Sequence, residues 1–158
     1  MGKLLLSCCF VLLVASPSLA KNNVASHWSC GKPTERHSIT VGDQANHAYA
    51  VQIGSCTVIG KTTFQETGGT GWSLVNTIGD TSTSQGVFVS TTSSGDKIHY
   101  ATTQKYALKS GKIDSGSVTW SIAGGTGKFA KTAGQGTCTA KGNPDGTVAY
   151  DCVGSYTP

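Results

Sequence analysis

Helical periodicity is missing from this sequence. No stretch of ten residues sets apolar side chains along one helical stripe, which argues against a helical bundle and leaves strands to build the core. Charge is scarce too, at 13% Asp, Glu, Lys and Arg, with glutamate only at Glu35 and Glu66. The Lys and Arg residues are scattered, and without a concentrated basic patch no nucleic-acid partner is expected. Gly-x-Ser-x-Gly does not occur, so the exposed serine of a nucleophile elbow is lacking. Gly127-Lys128 runs into Phe129 with no glycine five residues before Gly127, which removes a phosphate-binding loop. Gly125-Thr126-Gly127-Lys128-Phe129-Ala130 fits a loose dinucleotide pattern, yet strand signals come after it where that pattern needs a helix. No cofactor is expected.

Long apolar runs are confined to the first 20 residues. Lys3 precedes an apolar stretch from Leu4 to Ala15, and Ser16-Pro17-Ser18-Leu19-Ala20 closes it, the three-part layout of a secretion signal. Lys3 supplies the positive end, Pro17 breaks the helix, and Ser18 and Ala20 suit a narrow peptidase pocket. Cleavage after Ala20 is predicted, with a secreted or periplasmic destination. About twelve apolar residues fall short of the roughly 20 that cross a bilayer core, so no stable membrane insertion is expected after cleavage. The mature chain then has 138 residues, with 11 basic against 8 acidic side chains once Lys3 is gone, a formal charge of +3. That length suits one domain with a single core.

Four cysteines remain: Cys30, Cys56, Cys138 and Cys152. An even count in a small exported domain points to two disulfides. No Cys-x-x-Cys exists beyond residue 20, so no metal site is expected. Asn143-Pro144-Asp145-Gly146 has the proline and glycine of a type I turn followed by a glycine bulge. That turn sets Asn143 opposite Thr147, and counting outward sets Cys138 opposite Cys152 where side chains approach closest. Cys138 to Cys152 is therefore predicted, and Cys30 to Cys56 by elimination.

Residues 21 to 43 are polar without clear periodicity and read as an irregular N-terminal arm, leaving 44 to 158 as the β domain. There Tyr49, Val51 and Ile53, then Trp72, Leu74 and Ile78, then Ile98 and Tyr100, then Val118, Trp120 and Ile122 alternate with small or polar neighbours. Period two marks strands with one buried face. In the last hairpin Cys138, Ala140, Val148, Tyr150, Cys152 and Tyr156 share the face expected to be buried. Short antiparallel strands of this kind build either a barrel or a sandwich.

Ser121-Ile122-Ala123-Gly124-Gly125-Thr126-Gly127-Lys128-Phe129-Ala130, followed by Gly134-Gln135-Gly136-Thr137, resembles the corner signature of the allene oxide cyclase and dirigent type of barrel. The likeness continues through Asp145-Gly146-Thr147 to Gly154-Ser155-Tyr156, as in the closing strand of small exported bacterial members of unassigned role. It implies an eight-stranded antiparallel barrel, all-β, whose glycines let strands bend at a corner. A barrel of that strand number encloses side chains or one small ligand. In the plant relatives lumen residues guide cyclisation or radical coupling of small molecules. This chain departs from them in having only two Glu and in adding disulfides.

The lumen candidates are His47, Tyr49, Glu66, Trp72, Asn76, Tyr100, Trp120 and Tyr150; no catalytic residue is assigned. His47 shares parity with Tyr49 and can reach a barrel mouth. Glu66 follows Phe64 in strand-like alternation, and a carboxylate in an apolar cavity serves as general acid or base; its plainer place is a loop lip in water. The aromatics serve as core or as ligand platform. The leading expectation is a monomeric exported barrel binding a small apolar molecule in its lumen. The alternatives are a cofactor-free cyclase or isomerase using Glu66, Tyr100 or Asn76, and a ligand-free interaction module of the cell envelope.

Overall fold

The computed structural model describes residues 21–158; the expected secretion signal at 1–20 lies outside them. Nine strands succeed one another: β1 Asn22–Cys30, β2 Glu35–Thr40, β3 Ala48–Val58, β4 Glu66–Ile78, β5 Thr81–Thr92, β6 Lys97–Lys109, β7 Lys112–Gly125, β8 Ala133–Gly142 and β9 Val148–Thr157. All pair antiparallel with their neighbours in the order β1-β9-β8-β7-β6-β5-β4-β3-β2, and β1 also pairs with β3. That last contact closes eight strands into a ring. β2 lies outside the ring, paired with the first half of β3 from Glu35↔Ile53 to Thr40↔Ala48.

The segment expected to be an irregular arm is therefore strand. β1 pairs with β9 over nine positions and is a stave of the barrel. Its inward side chains are Val24, Ser26 and Trp28. The serine in the middle broke the apolar alternation; it is buried because the Trp28 indole N–H donates to its Oγ at 2.9 Å.

Both predicted disulfides are present, each between residues directly opposite on paired strands. The hairpin turn behaves as its residues dictate. The Gly146 N–H donates to the Asn143 carbonyl at 2.9 Å, the Asn143 N–H donates to the Thr147 carbonyl at 2.8 Å, and Gly146 takes φ +87°. The Asp145 carboxylate accepts from the Thr147 N–H and hydroxyl. At the glycine corner the β6–β7 register slips between His99↔Gly124 and Tyr100↔Ile122. Ala123 is thus the extra residue of a bulge, and the strand bends there.

The two barrel ends differ. At one end lie the β3–β4 connection and the segment between β7 and β8 that carries a single 3-10 turn, Gly127–Phe129. Phe64 meets Phe129 edge-on at 5.5 Å between ring centroids and Tyr156 at 4.8 Å, and with Ile98 and Ile122 they plug that end. At the other end tight turns join β4 to β5, β6 to β7 and β8 to β9. Short turns carry no side chains long enough to cover the opening, and the lumen is open there.

Candidate ligand cavity

A cavity of about 810 Å³ runs from the open end down to a floor of aromatic rings, within the range of small-molecule sites. Four rings make the floor in sequence. Trp28 stands edge-on to Phe88 at 5.3 Å, Phe88 lies 6.2 Å from Tyr100, and Tyr100 stands edge-on to Trp120 at 5.8 Å. Trp120 fits because two inward positions are glycine: a Cβ at Gly136 would come within 2.4 Å of its Cζ2, and one at Gly154 within 2.5 Å.

The walls differ in chemistry. β1, β7, β8 and β9 present Val24, Val118, Val148, Tyr150 and the Cys138–Cys152 disulfide. β4, β5 and β6 present Ser73, Thr77, Ser82, Ser84, Thr102 and Gln104. On that polar wall the Ser84 hydroxyl donates to Gln104 Oε1 at 2.6 Å, and Gln104 Nε2 donates to Thr102 Oγ1 at 3.3 Å. Nearer the mouth the Tyr106 and Tyr150 hydroxyls share a hydrogen bond at 2.9 Å. Burial pushes both phenols above their ordinary pKa, and each stays protonated at neutral pH. The rim carries Lys32, Arg36 and Lys112 against Asp80, and Arg36 reaches inward to donate to Gln52 Oε1 at 2.8 Å.

Of the sequence candidates, Tyr100, Trp120 and Tyr150 line this cavity with inward side chains, and Trp72 borders it from a position whose side chain turns outward. Glu66 is inside the barrel but beneath the floor, on the plugged side; at 6% exposure it does not sit on a wet lip. The Ser90 hydroxyl donates to its Oε1 at 2.7 Å and the Tyr100 hydroxyl at 2.8 Å. Burial raises the Glu66 carboxyl above the usual carboxylate range, with the hydrogen bonds from Ser90, Tyr100 and Thr62 pulling back. Tyr100 is raised too, by burial and then by the neighbouring Glu66 charge.

The side chains of the other four lie elsewhere. Tyr49 and Trp72 are 45% and 43% exposed. Tyr49 pairs with Asn76, while Trp72 pairs with Ile53 and Val87, all on the outer face. On β3 and β4 the inward residues are instead Ala50, Gln52, Ser73, Val75 and Thr77. The period was right and its sense inverted, because the β3 and β4 staves face an open cavity with polar side chains and turn their apolar side outward. His47 is buried against the outer side of β3, where its Nδ1 bonds Asp43 Oδ1 at 2.5 Å and its ring lies 5.3 Å from Tyr49. Neither His47 nor Asn76 lines the cavity.

Alternation missed Trp28 because β1 read as an arm, and Phe88 because Gly86 and Ser84 interrupt its stripe. Gln104, Ser84 and Arg36 carried no signal of their own. Among the described residues no group of three or more His, Cys, Asp or Glu gathers as metal ligands, and no helix is long and apolar enough to cross a membrane.

No family model and no curated protein matches the sequence. Solved structures do resemble the fold. The pterocarpan synthase dirigent protein GePTS1 aligns over 90% of this chain and 89% of its own at 13% identity, with a TM-score of 0.51. Pyocyanin demethylase aligns over 84% and 99% at 15% identity, with a TM-score of 0.40. The likeness to GePTS1 gives the chain a dirigent-like β-barrel fold, in agreement with the glycine-corner resemblance.

Proposed function

We propose that this protein is an exported barrel that holds one small, largely apolar molecule in its lumen. The observation that carries the reading is the open cavity of about 810 Å³ above four aromatic rings. A flat apolar body stacks on such a floor, and the Ser84, Gln104 and Thr102 row offers hydrogen bonds along one edge. The candidate signal at 1–20 and two disulfides, which persist in oxidising compartments, support export.

A second reading, a cofactor-free cyclase or isomerase, draws on the Tyr100–Glu66 hydrogen bond. It is the weaker one, because the Tyr100 hydroxyl points at Glu66 beneath the floor and neither polar group faces the space a ligand fills. The ligand-free module of the envelope has less in its favour, since the lumen is not filled by its own side chains.

Titration with anilinonaphthalene sulfonate, read by dye emission and by quenching of Trp28 and Trp120, tests the reading. One saturable site weakened in Ser84→Phe, which sets a ring into the cavity beside Gln104, is expected. Dye binding unchanged by Ser84→Phe would place the probe elsewhere and remove the support.

A further inference from the structure

Charge around the cavity is unevenly placed. The walls and floor below the rim carry none, while the rim carries three cations, Lys32, Arg36 and Lys112, against one carboxylate, Asp80. The cations come from separate parts of the chain: Lys32 from the link between β1 and β2, Arg36 from β2 and Lys112 from the start of β7. Strand parity puts Arg36 there. It shares a face with its partner Gln52, whereas Glu35 and His37 on either side of it pair with Ile53 and Val51 on the outer face. Its guanidinium donates to a neutral amide oxygen, Gln52 Oε1. The ion pairs among the described residues, His27 with Asp151 and His47 with Asp43, involve none of the three cations. Asp145 stands near Lys32, but its carboxylate is taken by the Thr147 N–H and hydroxyl.

Just inside the rim lies an unspent donor. The Tyr106 and Tyr150 hydroxyls bond each other, so one of the two phenolic protons has no partner within the pair. Tyr150 is two residues along β9 from Val148, which pairs with Cys30, two residues before Lys32. Tyr106 is two residues along β6 from Leu108, which pairs with Ile113 beside Lys112. The cations and the free O–H therefore occupy adjacent levels of the cavity, above the aromatic floor.

From this we infer that the molecule held in the lumen is an organic acid, with a flat ring body seated on the floor and one anionic group, a carboxylate or sulfonate, left at the mouth among Lys32, Arg36 and Lys112. The inference rests on the lumen-binding reading above and adds the charge which that reading leaves open. An anion at this level gains charge-assisted hydrogen bonds without being buried. A cationic ligand meets like charge and only Asp80 to offset it. Exposed ion pairs are individually weak, so the three cations together are worth about five- to twentyfold in affinity.

The test compares two dyes with the same ring body, anilinonaphthalene sulfonate and the neutral N-phenyl-1-naphthylamine, titrated by fluorescence at neutral pH. The proteins are wild type, Ser84→Phe, a mouth variant Lys32→Gln/Arg36→Gln/Lys112→Gln, and a control Lys97→Gln/Lys105→Gln/Lys141→Gln that removes the same charge from the outer face. Circular dichroism melts establish that each is folded. The expected result is a sulfonate dye bound at least about fivefold more weakly by the mouth variant, and by wild type in high salt, with the neutral dye changed by less than about twofold and the control like wild type. Sulfonate affinity that the mouth variant leaves unchanged, or that falls equally for both dyes or equally in the control, overturns the inference while a neutral dye weakened by Ser84→Phe keeps the lumen reading. Two dyes that are both indifferent to Ser84→Phe overturn the two together.

Discussion

Cys30 stands directly opposite Cys56 at the seam where the barrel closes, and only Trp28↔Val58 and Ser29↔Thr57 pair beside it. Cys138 faces Cys152 in the middle of a ladder of ten pairs. Both bridges join cross-strand neighbours, with Cα atoms 4.0 Å apart, but only the first sits in a junction of three ladder pairs, flanked by the Gly31 N–H to Ser55 carbonyl and Ile59 N–H to His27 carbonyl hydrogen bonds.

Removing them should therefore have different local consequences. Cys30→Ala/Cys56→Ala loses about 3–4 kcal/mol of stability in the chain-entropy model, and Cys138→Ala/Cys152→Ala about 3 kcal/mol. Urea unfolding measures both. Hydrogen exchange separates them: the first variant gains fast exchange at Trp28 to Cys30 and Thr57, while the second keeps that seam protected.

Trp120 depends on two missing side chains. Gly154→Ala puts a Cβ 2.5 Å from the indole and 2.4 Å from the Gln135 carbonyl oxygen, and Gly136→Ala is as crowded. Overpacking of this sort costs about 1–3 kcal/mol. Each variant is expected to melt lower and shift its tryptophan emission, while Gly95→Ala, in a turn with open space at its Cβ but φ +86°, leaves the emission unchanged.

Glu66 makes stability depend on pH in a stated direction. Burial raises its carboxyl above the ordinary 4.5, so the native state keeps a proton that the unfolded chain gives up. The contribution of this group is fully present below about the unfolded value and declines as pH climbs through the native one. Glu66→Gln keeps an acceptor for Ser90 and Tyr100 and removes the titration. Denaturant unfolding at several pH values is expected to show wild type losing ground to the variant as pH rises from 4.5; parallel curves would refute this.

The closing hairpin was legible because a four-residue turn fixes register, and register fixes which cysteines meet. β6 and β7 were legible because Ile98, Tyr100, Val118, Trp120 and Ile122 pack together as the plug, floor and apolar wall of the barrel interior, where apolar means inward. That equivalence fails where a stave presents a polar wall to the cavity. Ser73, Ser82, Ser84 and Gln104 face a cavity that solvent or ligand fills, and Trp72 and Leu74 face outward, so the alternation of β4 inverts. Residue identity alone carries no mark of that inversion, and Asn76 and Tyr49 were assigned to the lumen with it. β1 was hidden for a different reason, since Ser26 is buried through a hydrogen bond to Trp28 that no periodicity reveals. The Glu66–Tyr100 contact was half visible: both residues were candidates, but their meeting beneath the floor depends on the β4–β5–β6 register.

The central claim is that the lumen is occupied by a small molecule in the protein's own setting. Native mass spectrometry of protein purified from its own source, beside Ser84→Phe prepared in the same way, tests it most directly. The account predicts a non-covalent mass excess on the wild type that disappears on unfolding and is reduced in Ser84→Phe. A bare polypeptide mass for both would contradict it.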